Sequence, residues 1–419
     1  MKASTAGNRI SVLLPLLLLL PACLIGVPAQ AQTSSDTDSV LATGQGLNPV
    51  EPPDSDPDRA FGSAVAVAGR VALIGAPRAD GDLGAAYFFV RKKDGTWQQA
   101  QKIPDPASGL GDAFGGVVAL DRFSALIAGG GVVRYYVLHK GAWRLSETLE
   151  SDPGVGAFGK SLALNGCEAF VGVGVAFPNG SAQGGIDVFD RCRHGHWKRV
   201  ETLMPADSHP NDGFGGTLAV SDREMLVGAA QSGSAYYYVR DSHRWVEVQK
   251  ILAPSPTAVG FGTAVAFEGR HALIGAPNEG VFDPSAERIG AAYLFKRNGR
   301  LWVESARIVP DPAQSSDGVW DGFGSTLAMA RGRAAIAAPS AGAFFQDLPG
   351  TVYLYELEHG SLEFTESLAG HDFSAGFGQA LALSGRTLVV GEPNIRVARP
   401  DAFEGTATAY EFPRRDDDD

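Results

Sequence analysis

The chain has 419 residues, 44% of them hydrophobic, and a formal net charge of −12. That length and apolar content are enough for a large folded core, and the acidic balance lacks the basic surplus a nucleic-acid partner requires. Its 53 glycines follow no collagen period and so indicate many tight turns.

In chain order, Lys2 and Arg9 precede the apolar run "ISVLLPLLLLLPACLIGV" and the small residues Ala29 and Ala31. This order predicts a secretory signal peptide over 1–31, cleaved after Ala31, which takes the net charge from −12 to −14. The alternative is a lipoprotein anchored at Cys23, which Pro21 and the apolar residues after the cysteine fit poorly. Both readings place the chain outside the cytoplasm: secreted, periplasmic or at the cell surface. No later run is long enough for a transmembrane segment. Residues 32–47 read as a linker, 48–413 as the folded domain and 414–419 as an acidic tail.

From residue 61 the chain repeats. Phe-Gly recurs at Phe61, Phe114, Phe158, Phe214, Phe261, Phe323 and Phe377. Fourteen residues after each Phe stands a glycine or alanine: Gly75, Ala128, Gly172, Gly228, Gly275, Ala337 and Gly391. Five residues after each Phe stands alanine, from Ala66 to Ala382, with bulky apolar residues on either side. A period of two with one methyl-sized face predicts a strand whose neighbour approaches closely there. A short turn, a second apolar strand and a third strand such as "GAAYFFV" follow. A hairpin then leads to Trp97, Trp143, Trp197, Trp245 or Trp302 and a fourth strand, with Phe364 in the tryptophan's place in the sixth copy. Four antiparallel strands per unit at this period predict an all-β, seven-bladed β-propeller. The last unit lacks a fourth strand, so residues around Asn48–Pro52 are expected to complete it.

With these Phe-Gly and Gly-Ala-Pro pairs, the chain resembles the FG-GAP repeat family, which includes the propellers of integrin α subunits and secreted bacterial proteins. The resemblance implies a binding or adhesion module. The calcium loops of integrin blades do not carry over, because the first turns here are short and offer few oxygen ligands. No cofactor is therefore expected, and calcium has only two weak candidates: "NDGFGG" from Asn211, and "ADGDLG" with Asp80 and Asp82.

Antiparallel blades send alternate connections to opposite ends. The first-to-second and third-to-fourth turns share one face, where Arg70, Arg122, Arg223, Arg270, Arg333 and Arg386 predict either solvated hairpin tips or contact with an anionic surface. The other face collects the variable loops, where binding residues tend to lie. Its candidate ligand-binding residues are Trp320, Asp321, Asp317, Phe344, Phe345, Phe282, Phe373 and Phe403, aromatics and carboxylates suited to an extracellular protein or glycan.

Cys167 and Cys192 fall opposite each other in the third unit and predict a disulfide. His194 and His196 flank Cys192 as a metal site might, without a fourth ligand in view. "PNGS" offers a glycosylation acceptor at Asn179. The sequence holds no nucleophile elbow, phosphate loop or zinc helix, so no catalysis is expected. The alternative is a propeller hydrolase of polysaccharide or lipid-linked substrates, with Asp112, Asp212 and Asp321 as acid and base. Turn-holding hydrogen bonds are the simpler role for those aspartates.

Overall fold

The computed structural model describes residues 44–46, 60–104, 111–151, 155–176, 182–280, 290–310, 322–339, 350–370, 376–393 and 405–414. The expected signal peptide, Cys23, Asn48–Pro52 and Asn179 lie outside the described residues.

Among the described residues, the strands form seven four-stranded antiparallel sheets. Blade 1 comprises Ala64–Ala68, Val71–Ala76, Ala85–Arg91 and Trp97–Pro104, and blades 2 to 6 repeat this order. Blade 7 has Ala380–Ser384, Thr387–Glu392 and Thr406–Glu411 from the end of the chain. Its fourth strand is Gly44–Gly46, with Gly44 opposite Tyr410 and Gly46 opposite Thr408. The ring is thus closed by an N-terminal strand, upstream of the expected Asn48–Pro52 and inside the stretch read as linker. First strands of successive blades touch in turn, and that of blade 1 touches that of blade 7.

The repeated alanine has a positional cause. In blade 1, Ala66 packs into the core shared with blade 2, whereas Val65 and Val67 pack into the core shared with blade 7. The same division holds for Ala163 against Leu162 and Leu164, and for Ala266 against Val265 and Phe267. First strands converge on the axis, so the side facing the next blade has room only for a methyl group while the opposite side is filled by larger side chains.

The Phe-Gly and Gly-Ala-Pro motifs meet between blades. A Cβ on Gly75 would lie 1.8 Å from the carbonyl oxygen of Gly115, the Phe-Gly glycine of blade 2. Gly84 at the head of the third strand faces Phe114 in the same way, and the two residues form a parallel bridge. The Phe-Gly of blade 2 therefore lies against two glycines of blade 1. Phe61 is fully buried, with its ring edge-on to Tyr87 at 5.3 Å. In blade 1 the motif precedes the first strand instead of beginning it, because Gly62 has φ 89 and turns the chain into the strand.

The outer strands are braced as well. Gln101 of blade 1 bonds both the carbonyl and the N–H of Trp143 in blade 2, at 3.0 and 2.8 Å. Gln249 does the same to Trp302, at 2.9 and 2.7 Å. Glu147 and Glu201 accept from the N–H of Trp197 and Trp245. In blade 6 the tryptophan's place is taken by Leu362 and not by Phe364. Leu362 pairs with Leu357 as Trp302 pairs with Arg297, and Phe364 is left exposed one step along the same face.

Candidate ligand-binding face

On the variable-loop face, blades 3 to 5 enclose a cavity of about 510 Å³. Lys160 reaches it from the first strand of blade 3, Val155–Asn165, and Gln183 from the head of the third, Ala182–Asp190. Asn211 comes from the link into blade 4, Thr217 from its first strand, and Gln231 from the 3-10 turn Ala230–Ser232. Thr263 adds a hydroxyl from the entry to blade 5. Among the described residues, the lining offers three carboxamides, two hydroxyls and one ammonium.

Hydrogen bonds fix the cavity wall. The Asp212 carboxylate, 5% exposed, accepts from the N–H of Phe214 at 3.0 Å and of His209 at 3.2 Å. Its backbone oxygen accepts from Gln231 and Ser232, both at 3.1 Å. Gln183 donates to Ser208. Asp207 accepts from Lys250 at 2.6 Å and from the Tyr236 hydroxyl at 3.0 Å. The Lys250 hydrogen bond holds the Asp207 carboxyl below its ordinary value of 3.8. The same bond raises Lys250, and burial raises Tyr236.

A depressed carboxyl contributes stability above its unfolded pKa and loses it as pH falls through the folded one. Hydrogen-exchange protection over residues 205–212, taken relative to the intrinsic amide rate at each pH, should therefore fall on acidification from about pH 5 to about pH 3, with Asp207→Asn weakly protected at both. Equal protection in wild type at the two pH values would remove Asp207 as the anchor.

Two expected site features take structural roles. Asp80 bonds Lys102 at 2.9 Å and Asp82 pairs with Arg78 at 3.0 Å, so both carboxylates of "ADGDLG" serve cations of the chain. Asp212 is held in its own turn, and Asp112 lies against Gly130. His194 and His196 stand 6.3 Å apart, ring to ring, and no group of three or more potential metal ligands occurs among the described residues. Trp320, Asp321, Asp317, Phe344, Phe345, Phe282, Phe373 and Phe403 lie outside the described residues.

The arginine ring on the turn face resolves by offset. Arg70, Arg223, Arg270 and Arg386 stand nine residues after their Phe, and each donates to a carbonyl at the end of its third strand: Arg91, Arg240, Arg297 and Phe412. In blade 3 that offset is held by Cys167, bonded to Cys192 with Cα atoms 5.4 Å apart, so a disulfide replaces the clasp. Arg122, one position earlier, lies over the Phe123 ring. Arg333, one position later, turns to the opposite side of its strand and is fully buried. It therefore has no place in an exposed ring.

Seven four-stranded blades in a closed ring make the chain a seven-bladed β-propeller. An FG-GAP repeat family model matches residues 50–89, and the same interblade contact recurs around the ring. The chain is thus a seven-bladed propeller that carries an FG-GAP repeat. No curated protein matches it. Among solved structures it is similar to a functionally unknown protein from Desulfotomaculum acetoxidans, at 12% identity and TM-score 0.51 over 79% of this chain and 96% of that one. It is also similar to the periplasmic gluconolactonase of Pseudomonas aeruginosa, at 13% identity and TM-score 0.46 over 73% and 85%. The WD40 domain of Toxoplasma gondii coronin aligns at 9% identity and TM-score 0.47 over 90% and 87%. At such identities a likeness concerns the fold alone. Among the described residues, no helix is long and apolar enough to cross a membrane.

Proposed function

We propose that this propeller is a secreted or cell-surface binding module that takes an acidic glycan on its variable-loop face and performs no catalysis. The observation that carries this reading is the lining of the blade 3–5 cavity. Carboxamides and hydroxyls match the hydroxyl groups of a sugar, and Lys160 matches a carboxylate or sulfate on it. From the sequence, Trp320, Asp321, Asp317, Phe344, Phe345, Phe282, Phe373 and Phe403 are proposed as further ligand contacts. The disulfide fits an oxidising compartment.

The test is a glycan array followed by calorimetry with a uronic-acid oligosaccharide. Wild type should bind, and Lys160→Ala and Gln231→Ala should each weaken binding about tenfold. Trp320→Ala and Phe345→Ala report whether blade 6 shares the contact. Wild-type affinity in both cavity variants, or no retained glycan at all, would sink the proposal. Release of shortened oligosaccharide would replace it with the hydrolase reading.

A further inference from the structure

Beyond ligand binding, we infer that the opposite face of the propeller docks on a membrane surface carrying anionic lipid headgroups. The clasping arginines do not carry this inference, because their guanidiniums are engaged by backbone carbonyls. The third-to-fourth turns do. Lys92 and Lys93 stand exposed at the tip of blade 1, Lys140 at that of blade 2, Arg193 at that of blade 3, Arg244 at that of blade 4 and Arg300 at that of blade 5. Against these cations stand the tip carboxylates Asp94 in blade 1 and Asp241 in blade 4, and Asp190 in blade 3, which is paired with Arg193. Blades 1 and 2 therefore present a surplus of positive charge on a protein whose net charge is −12. Blade 6 breaks the pattern with Glu358, which sets a side to the basic arc.

An apolar component lies on the same face. Phe123, in the first turn of blade 2, is 58% exposed, with the Arg122 guanidinium 5.4 Å from its ring centre. Leu301 is 49% exposed beside Arg300. Nothing in turn chemistry requires a phenylalanine at a hairpin tip, and exposing one costs solubility. An aromatic ring flanked by cations fits the boundary between headgroups and acyl chains, where the ring enters and the cations meet phosphates. The cations sit on separate tips of successive blades, a spacing that matches a broad charged plane better than a single polysaccharide strand. Docking in this way leaves the cavity of blades 3 to 5 facing away from the bilayer.

The experiment is vesicle flotation of the whole chain with phosphatidylcholine vesicles, with and without phosphatidylglycerol. The chain should float only with phosphatidylglycerol at low salt and dissociate near 1 M salt, where the screening length falls to about 3 Å. Lys92→Glu/Lys93→Glu/Lys140→Glu should lower partitioning at least about a hundredfold, the triple alanine variant less in the same direction. Phe123→Ser should lower it about tenfold while keeping the salt dependence. Flotation independent of phosphatidylglycerol, or unchanged in the triple glutamate variant, overturns the inference. So does capture by dextran sulfate beads without flotation, which would assign the face to a polyanionic polysaccharide.

Discussion

Gly391→Ala should destabilise the propeller by about 3 kcal/mol or more, whereas Gly69→Ala should cost about 1 kcal/mol. A Cβ on Gly391 would lie 2.0 Å from the carbonyl oxygen of Gly62 and 3.0 Å from its carbonyl carbon. Both are backbone atoms, so no rotamer change relieves the clash, and blade 7 must move away from blade 1. This is the contact at which the ring closes. Gly69 has φ 60 and nothing within 4 Å of an added Cβ, so alanine there meets only the left-handed backbone penalty. Urea unfolding of the two variants gives the comparison directly, and equal losses would mean that the interblade contact does not govern stability. Gly75 contacts Gly115 in the same way and should resemble Gly391. Ala128 and Ala337, which replace the glycine in blades 2 and 6, face the Phe-Gly glycines Gly159 and Gly378 across 2.9 and 2.8 Å, measured from their own Cβ atoms to one added at the glycine. In those two blades the partner glycine accommodates the methyl group.

These contacts explain why so much of the fold was legible in the sequence. The offset of fourteen residues is constant because both ends of it meet backbone at an interblade seam, where insertions are not tolerated. The variable lengths fall between these constant segments, in loops and links. The disulfide was legible for the same reason, since the repeat fixes which turn residues stand opposite one another. Register within a strand was harder to read: Phe364 and Leu362 lie two residues apart on one face, so periodicity alone cannot choose between them. The pairing of Glu358 with Ser361 makes the choice, and it puts Leu362 inward.

The candidate cavity was not read from the sequence, because Gln183, Asn211 and Gln231 reach it from loops and links at positions with no common offset. One signal was present. Two residues after Phe, six copies have Ser63, Gly116, Gly216, Thr263, Ser325 or Gln379, and the third has Lys160. A long cation at a repeat position otherwise held by neutral residues marks a departure that packing does not require. Where a scaffold is as repetitive as this one, function is best sought in departures from the repeat, since the shared residues are committed to holding the blades together.

Arg333 is such a departure with a structural outcome, and Arg333→Ala should cost about 3 kcal/mol. Shifted by one residue from the clasping arginines, it projects toward blade 7 and is fully buried. Its Nη2 donates to the carbonyl of Pro413 at 3.0 Å, its guanidinium lies 5.7 Å from the Phe412 ring centre, and its Nε is 3.7 Å from Glu356 Oε1. The side chain therefore joins blade 6 to the last residues of the closing blade. Removing it leaves a cavity, an unmet carbonyl and a partly buried carboxylate without its cation, and each effect is destabilising. Arg333→Met separates them: the volume is kept, so any remaining loss belongs to the polar contacts. If the carboxylate dominates, Arg333→Met/Glu356→Leu should recover most of the stability, because replacing both members of a buried pair by apolar residues is often neutral. A loss below about 1 kcal/mol in Arg333→Ala would mean that the closing strands hold blade 7 without this tie, leaving the glycine contacts as the main restraint on the ring.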